Sequence, residues 1–176
     1  REPFDVSALI DGVTSLMQPR AAAKGLELSS EMKGFTSRRF IGDGGRIRQV
    51  LLNLVNNAIK FTESGSVLLR AEVVGRSQST RIRLVVEDTG VGIPEESLVR
   101  IFTRYHQNGT GSNRNPGGSG LGLAITKQLV SLMGGELGGK STVDEGTSFW
   151  VEVDLEPGPE DTLRVDDAAG TGELLI

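Results

Sequence analysis

The most regular hydrophobic pattern in the chain is helical, and it lies in residues 43–62. Read at about 100° per residue, Ile47, Val50, Leu51, Leu54, Val55 and Ala58 form one broad apolar face that must bury against something. Beside it runs a polar column of Arg46, Asn53, Asn57 and Lys60, and Asp43 is placed to cap the helix. An earlier helix is predicted over residues 3–25, with Asp5 or Ser7 as N-cap and Val6, Leu9, Ile10, Val13, Leu16 and Met17 at helical spacing. Pro19 is expected to kink or interrupt it. Residues 26–32 alternate as a half-buried strand does, and 39–42 make a second, short strand.

After a turn at Glu63-Ser-Gly65, Val67, Leu69, Ala71 and Val73 share one face of a strand over 66–74. Ile82, Leu84 and Val86 do the same over 81–87, and the polar link 75–80 predicts an antiparallel hairpin. Pro94 opens a short helix with Glu95 and Glu96 in its first turn. Periodicity is lost over 103–115, an Asn/Gly-rich stretch that reads as a mobile loop and a lid candidate. A further helix runs from Leu121 and stops at Gly134-Gly135, and two strands follow over 136–140 and 148–155. From residue 157 the chain turns acidic and Pro/Gly-containing. Residues 1–156 are therefore read as one domain and 157–176 as a tail or linker, disordered unless docked.

Composition narrows the classes. At 176 residues, with 37% hydrophobic and 24% charged residues, the chain can bury one real core. A net charge of −4 argues against a basic nucleic-acid-binding face. There is no cysteine, so disulfides and thiolate metal sites are excluded. No apolar run reaches the roughly 18 residues of a membrane span, and no signal peptide opens the chain. The first residue is Arg, so a piece of a longer protein is expected.

Three local features carry chemistry. In the long helix, Asn53, Asn56 and Asn57 each cost about half a kcal/mol against Ala, and Asn53, Asn57 and Lys60 stand at i, i+4 and i+7. An amide oxygen suits Mg2+ and an ammonium suits phosphate, so the column reads as one wall of a nucleotide site. Asp88-Thr-Gly-Val-Gly-Ile-Pro94 follows a strand directly. Its glycines let backbone approach a planar ligand, and Asp88 can accept from an exocyclic amine. Gly117-Gly-Ser-Gly-Leu-Gly-Leu-Ala124 opens a helix and offers free N–H groups at the positive end of its dipole. It has neither the Gly-Lys-Ser/Thr of a P-loop nor the preceding strand of a dinucleotide-binding fold.

Taken together, these motifs resemble the ATP-binding catalytic domain of sensor histidine kinases, within the superfamily that also holds DNA gyrase, Hsp90 and MutL. Gln49 to Thr62 is similar to the N box, Asp88 to Pro94 to the G1 box, and Arg100-Ile-Phe-Thr-Arg-Tyr105 to a form of the F box. Gly118 to Leu123 is similar to the G2 box, and Gly146-Thr147 to the closing Gly-Thr element. The resemblance implies an α/β two-layer sandwich, with a mixed, largely antiparallel sheet of about five strands and about three helices on one face. It implies ATP and Mg2+ as cofactors, with Asn57 as metal ligand. Asn53, Lys60 and Arg114 would be the catalytic groups, acting at phosphate and metal. Asp88 would accept from the adenine amino group, with Gly90, Gly92 and Thr147 around the base and Ile93 and Leu123 as apolar neighbours. Phe61 and Tyr105 would flank the site, and Ser119, Gly120, Leu121 and Gly122 would meet phosphates.

The family's ATP-hydrolysing members carry a water-activating Glu where this chain has Asn53, so phosphoryl transfer is implied over hydrolysis. The acceptor histidine and its dimerisation domain would lie elsewhere in the parent protein. His106, the single histidine, lacks the helical context of an acceptor. Further partners implied are a response regulator or receiver domain, with Gln107 pointing to the hybrid type. No nucleic acid and no membrane contact by this fragment are expected. The fragment would be a cytoplasmic monomer and its parent a homodimer, soluble or membrane-anchored. The alternatives are a regulatory or catalytically silent nucleotide-sensing module of the same fold, or an anti-sigma-factor type Ser/Thr kinase. The Asn-Ala-Ile-Lys-Phe-Thr62 ending disfavours the latter.

Overall fold

The computed structural model describes residues 1–103 and 121–159, which form a sheet of seven strands and four helices. In chain order these are β1 (Glu2–Asp5), α1 (Val6–Ala23), β2 (Glu27–Lys33), β3 (Arg39–Gly42), α2 (Gly44–Phe61), β4 (Ser66–Arg76), β5 (Thr80–Asp88), α3 (Glu95–Thr103), α4 (Leu121–Leu132), β6 (Glu136–Thr142) and β7 (Gly146–Pro157). The strands lie in the order β1-β3-β7-β5-β4-β2. β6 and β3 share one edge of the long β7, β6 along its first half and β3 at Glu156 and Pro157. Only the β2–β4 pair is parallel. This is the expected mixed sandwich, with seven strands rather than about five and four helices rather than three.

Register explains the core. Rows crossing β4, β5 and β7 read Leu69–Val86–Phe149, Ala71–Leu84–Val151 and Val73–Ile82–Val153. All nine are apolar, and they put a greasy face under the helices. The apolar stripe of α2 lies on it, with Val50, Leu51, Leu54 and Val55 at most 1% exposed. α1 and α4 pack against α2 on either side. The next row breaks the rule: Val67 is followed by Asp88, Thr147 and Ser141, so three polar residues close this side of the sheet at one end.

The opposite sheet face is a lattice of ion pairs, where Arg70 meets Glu31, Glu72 and Glu87 and Glu152 meets Arg81 and Arg83. Val85 is nevertheless buried there, registered between Arg70 and Trp150, whose ring lies over Gly138.

Local signals explain most element ends. Asp5 Oδ1 accepts from Ala8 N–H at 3.0 Å and Asp43 Oδ1 from Arg46 N–H at 3.0 Å, capping α1 and α2. Lys24 Nζ donates to the carbonyls of Ile59 and Lys60 and satisfies the last turn of α2. Two expectations need correction. Pro19 does not interrupt α1: it sits on the exposed side, where water can take the carbonyl that loses its partner. Residues 2–5 form a strand paired with β3 rather than the start of the helix, because Phe4 packs against the backbone of Gly42 and Gly44. Pro157 still pairs with Phe40, and the chain from 160 onward lies outside the described residues. No helix among the described residues is long and apolar enough to cross a membrane.

Candidate functional site

The polar column of α2 divides into fixed and free members. Asn53 is half-buried and held at both ends of its amide: Gln49 Nε2 donates to its Oδ1 at 3.1 Å, and its Nδ2 donates to Thr126 Oγ1 on α4 at 3.5 Å. Thr126 is fully buried, so its hydroxyl meets Asn53 from within the α2–α4 packing. Asn56 turns away toward α1 and accepts from Arg20 at 2.7 Å. Arg46 folds back on Asp43 at 3.3 Å and takes no part in the column's far end. Asn57 is half-buried, and its amide has no hydrogen-bond partner among the described residues. Lys60 is exposed, its Nζ 5.5 Å from the centre of the Phe61 ring, which is itself 49% exposed. Two consecutive turns thus leave an amide and an ammonium available beside a core-packed stripe.

At the polar end of the sheet, Asp88 is the last residue of β5. Its Oδ1 accepts from the backbone N–H of Gly90 at 2.9 Å and of Thr147 at 3.2 Å. Burial pushes its carboxyl above the ordinary aspartate range, and the two N–H groups pull partly back. No cation pairs with it among the described residues, and Oδ2 has no partner there, so one oxygen remains to accept from a ligand. Glycine makes this packing possible. A Cβ at Gly90 would come 2.5 Å from the carbonyl oxygen of Phe61, and one at Gly146, where φ is +129°, would come 1.9 Å from the carbonyl oxygen of Asp88. The loop after β5 is therefore pressed between the C-terminal end of α2 and the β6–β7 turn, and Val91 accepts from Asp144 N–H at 2.8 Å.

The structure brings Asp88, Gly90, Gly92 and Thr147 together at one end of the sheet, with Phe61 joining from α2. Ile93 and Leu123 are partly buried against the core, and Leu121 and Gly122 are the first residues of α4. Tyr105, Arg114, Ser119 and Gly120 lie outside the described residues, as do His106 and Gln107. A cavity of about 180 Å3 at this end of the sheet is lined by Asp88, Ser141, Gly146 and Thr147 together with Glu87, Lys140, Thr142, Glu145 and Ser148, so it takes in residues of both sheet faces and reaches none of Phe61, Gly90, Gly92 and Ile93. A second, of about 300 Å3, lies between α1 and α2 and reaches only Asn53 of the expected site. Of the expected site residues, the first cavity meets Asp88 and Thr147. No cluster of His, Cys, Asp and Glu fit for a metal exists among the described residues, so a cation here would rely on Asn57 and on oxygens brought by its ligand. Sequence reasoning missed Thr126, which holds Asn53, and Ser141, which joins the loop after β5 to β7.

Comparison with known proteins identifies the family and the fold. The family model described as "Histidine kinase-, DNA gyrase B-, and HSP90-like ATPase" matches residues 42–157. The sensor histidine kinase AruS of Pseudomonas aeruginosa is 44% identical over 153 residues, covering 86% of this chain and 15% of the relative. The sensory/regulatory protein RpfC of Xanthomonas campestris is 40% identical over 174 residues, covering 96% and 24%. The chain thus spans less than a quarter of the length of these curated relatives. Among solved structures, full-length ShkA in complex with AMPPNP superposes with a TM-score of 0.75 at 36% identity, over 89% of this chain and 31% of that one. The nucleotide-free catalytic domain of histidine kinase ThkA superposes at 0.69 with 26% identity, over 88% and 95%.

Proposed function

Because the chain belongs to the histidine kinase-, DNA gyrase B- and HSP90-like ATPases, as an ATP-binding catalytic domain of the sensor histidine kinase type, we propose that it binds Mg-ATP and presents the γ-phosphate to a histidine on a separate dimerisation domain. In that step the bond from the γ-phosphorus to the bridging oxygen breaks, ADP leaves, and a bond to an imidazole nitrogen forms. The observation that carries the reading is Asp88: a half-buried carboxylate fixed by two backbone N–H groups, unpaired with any described cation, one oxygen left free. Such a group selects a base that offers an N–H, as the adenine 6-amino group does.

The other roles follow from position. Asn57 has no amide partner among the described residues and would hold Mg2+ with phosphate oxygens, and the ion would supply charge neutralisation for the transferred phosphoryl group. Lys60 would reach a phosphate, and the N-terminal N–H groups of α4 at Leu121 and Gly122 would meet another. Asn53, an amide tied to Gln49 and Thr126, offers no base for activating water, which favours transfer over hydrolysis. Arg114, Tyr105, Ser119 and Gly120 would complete the phosphate side. Residues 1–156 form the catalytic unit in this reading, and 157–176 a tail toward another domain. A receiver domain or response regulator would then take the phosphoryl group onward.

The test is calorimetric titration with non-hydrolysable ATP and GTP analogues, with and without Mg2+, on the chain and on Asp88→Asn and Asn57→Asp. The expected result is adenine-selective, Mg2+-dependent binding that both substitutions weaken by tenfold or more, given that hydrogen bonds to charged groups contribute about 1.5–3 kcal/mol. Binding unchanged by either substitution would refute these assignments. Binding intact but no transfer to the parent's dimerisation domain supplied in trans would favour a catalytically silent nucleotide-sensing module.

A further inference from the structure

The polar row that ends the helix-facing side of the sheet runs from Asp88 through Thr147 to Ser141. Ser141 is not one of the residues proposed to contact the nucleotide, yet its hydroxyl ties three segments of the site together. Its Oγ accepts from the backbone N–H of Ile93 at 2.7 Å, donates to the carbonyl of Gly146 at 3.0 Å, and lies 2.8 Å from Thr147 Oγ1.

Counting protons fixes the direction of the third contact. A serine hydroxyl has one proton and two acceptor lone pairs. The Ile93 amide can only donate, so it occupies one lone pair. The Gly146 carbonyl can only accept, so it takes the one proton. What remains for Thr147 is a lone pair, and the shared bond is made with the threonine's proton. The threonine hydroxyl is 7% exposed as a residue and has no other side-chain partner among the described residues, so nothing nearby competes for that proton.

We propose that Ser141 holds the hydroxyl proton of Thr147, so that Thr147 Oγ1 faces the bound base as an acceptor only, and that Ser141 is thereby a positioning residue for the choice of a 6-amino over a 6-oxo purine. The inference rests on reading the Asp88 end as the base site. A 6-amino substituent offers N–H donors and a 6-oxo substituent an acceptor oxygen. The adjoining ring N1 changes in the opposite sense, an acceptor in the first and an N–H donor in the second, so it is the 6-substituent that Thr147 discriminates. Asp88 alone already disfavours the oxygen. With its proton free, Thr147 could turn and donate to that oxygen, partly rescuing the wrong base. With its proton committed to Ser141, it cannot, and a 6-oxo group meets two acceptors with no proton between them. Ser141 touches no ligand in this scheme and acts through Thr147.

The experiment compares the 176-residue chain with Ser141→Ala, Ser141→Thr, Thr147→Val and the Ser141→Ala/Thr147→Val double variant. Each is titrated with non-hydrolysable analogues of ATP and of inosine triphosphate, and the readout is the ratio of the two affinities. Ser141→Ala is expected to narrow the wild-type preference by about 5- to 10-fold, the scale of one misdirected neutral hydrogen bond. Ser141→Thr is expected to restore it. Thr147→Val should narrow it to a similar degree, and the double variant no further, since both act through one bond. A merely structural serine would lower both affinities together and leave the ratio unchanged, and that result overturns the proposal. Should Ser141→Ala not fold, an unchanged ratio in Thr147→Val overturns it equally. A wild-type chain that binds neither analogue, or both alike, instead removes the base-site reading beneath it.

Discussion

Gly90 tests the fold and the site with one methyl group. It is buried at the start of the loop after β5, and its N–H is one of the two donors that hold Asp88. In Gly90→Ala the new Cβ would stand 2.5 Å from the Phe61 carbonyl oxygen and 3.0 Å from both Asp88 Oδ1 and Thr62 Oγ1. Backbone oxygen cannot swing aside as a flexible side chain can. Reaching even a 3.0 Å contact needs about 0.5 Å of movement between the loop and the end of α2. Thr62 resists on the other side, since it is fully buried and donates to Ala58 at 2.7 Å. Overpacking of this kind costs about 1–3 kcal/mol, and loosening the 2.9 Å bond from Gly90 to Asp88 adds about 1 kcal/mol.

The expected total is about 2–4 kcal/mol. For a domain of this size, 1 kcal/mol corresponds to about 2–4 °C, so the melting midpoint should fall by roughly 4–16 °C. Affinity for ATP should fall with it, because Asp88 loses a support. Gly12→Ala is the matched control: the same methyl group on an exposed turn of α1, where nothing lies within 4 Å. There the substitution should stabilise by about 0.5–1 kcal/mol through helix propensity. Scanning calorimetry on both variants reads the contrast. Equal shifts of the two midpoints, or a Gly90→Ala protein that melts and binds as the wild type does, would refute the packing of this loop against α2.

Two further predictions concern the core and the carboxylate. Leu54→Asp places an unpaired charge at a position 1% exposed, at a cost of about 4–5 kcal/mol or more. The cooperative transition should be lost or strongly lowered in circular dichroism, and a wild-type midpoint would sink the assignment of this face to the core. For Asp88, burial raises the folded-state pKa above the unfolded value. A raised carboxyl makes no difference to stability below the unfolded pKa and subtracts from it as pH rises through the folded pKa. Asp88→Asn should therefore gain in midpoint relative to wild type between about pH 4, near the unfolded value, and neutrality, while binding ATP more weakly. A midpoint difference that is flat with pH would show that burial does not disfavour the ionised form.

What could be read from sequence is what depends on neighbours along the chain. The face of α2 repeats over five turns and carries its own cap at Asp43, and the β4–β5 hairpin has alternation on both arms. What could not be read depends on distant partners. β1 is four residues long and exists because Phe4 meets β3 and two glycines some 40 residues away. β6 extends past Lys140 to Thr142 only because β7 pairs with it, and a lone serine after Gly-Gly-Lys has no period to betray it. Ser141 was invisible for that reason. Thr126 sat unnoticed between Ile125 and Lys127 in an ordinary helix, and only the packing of α4 on α2 shows that it grips Asn53. Val85 lies out of phase with Ile82, Leu84 and Val86, yet it is buried, in register between Arg70 and Trp150 on the neighbouring strands.

The two asparagines one turn apart on α2 show how the same residue type is given two duties by its surroundings. An amide has no basic lone pair of use at neutral pH, so Asn53 cannot draw a proton from water whichever way it turns. Its oxygen is also occupied by Gln49 and its nitrogen directed at a buried threonine, which fixes the ring of contacts between α2 and α4 rather than leaving a group to react. Asn57 has the same side chain with neither restraint, half-buried and without a described partner. Its amide is not among the buried side-chain atoms left without a partner, so it still reaches water, which a ligand can replace. Tied at 53 and without a partner among the described residues at 57, the two amides give this face of the helix no group that could serve as a base.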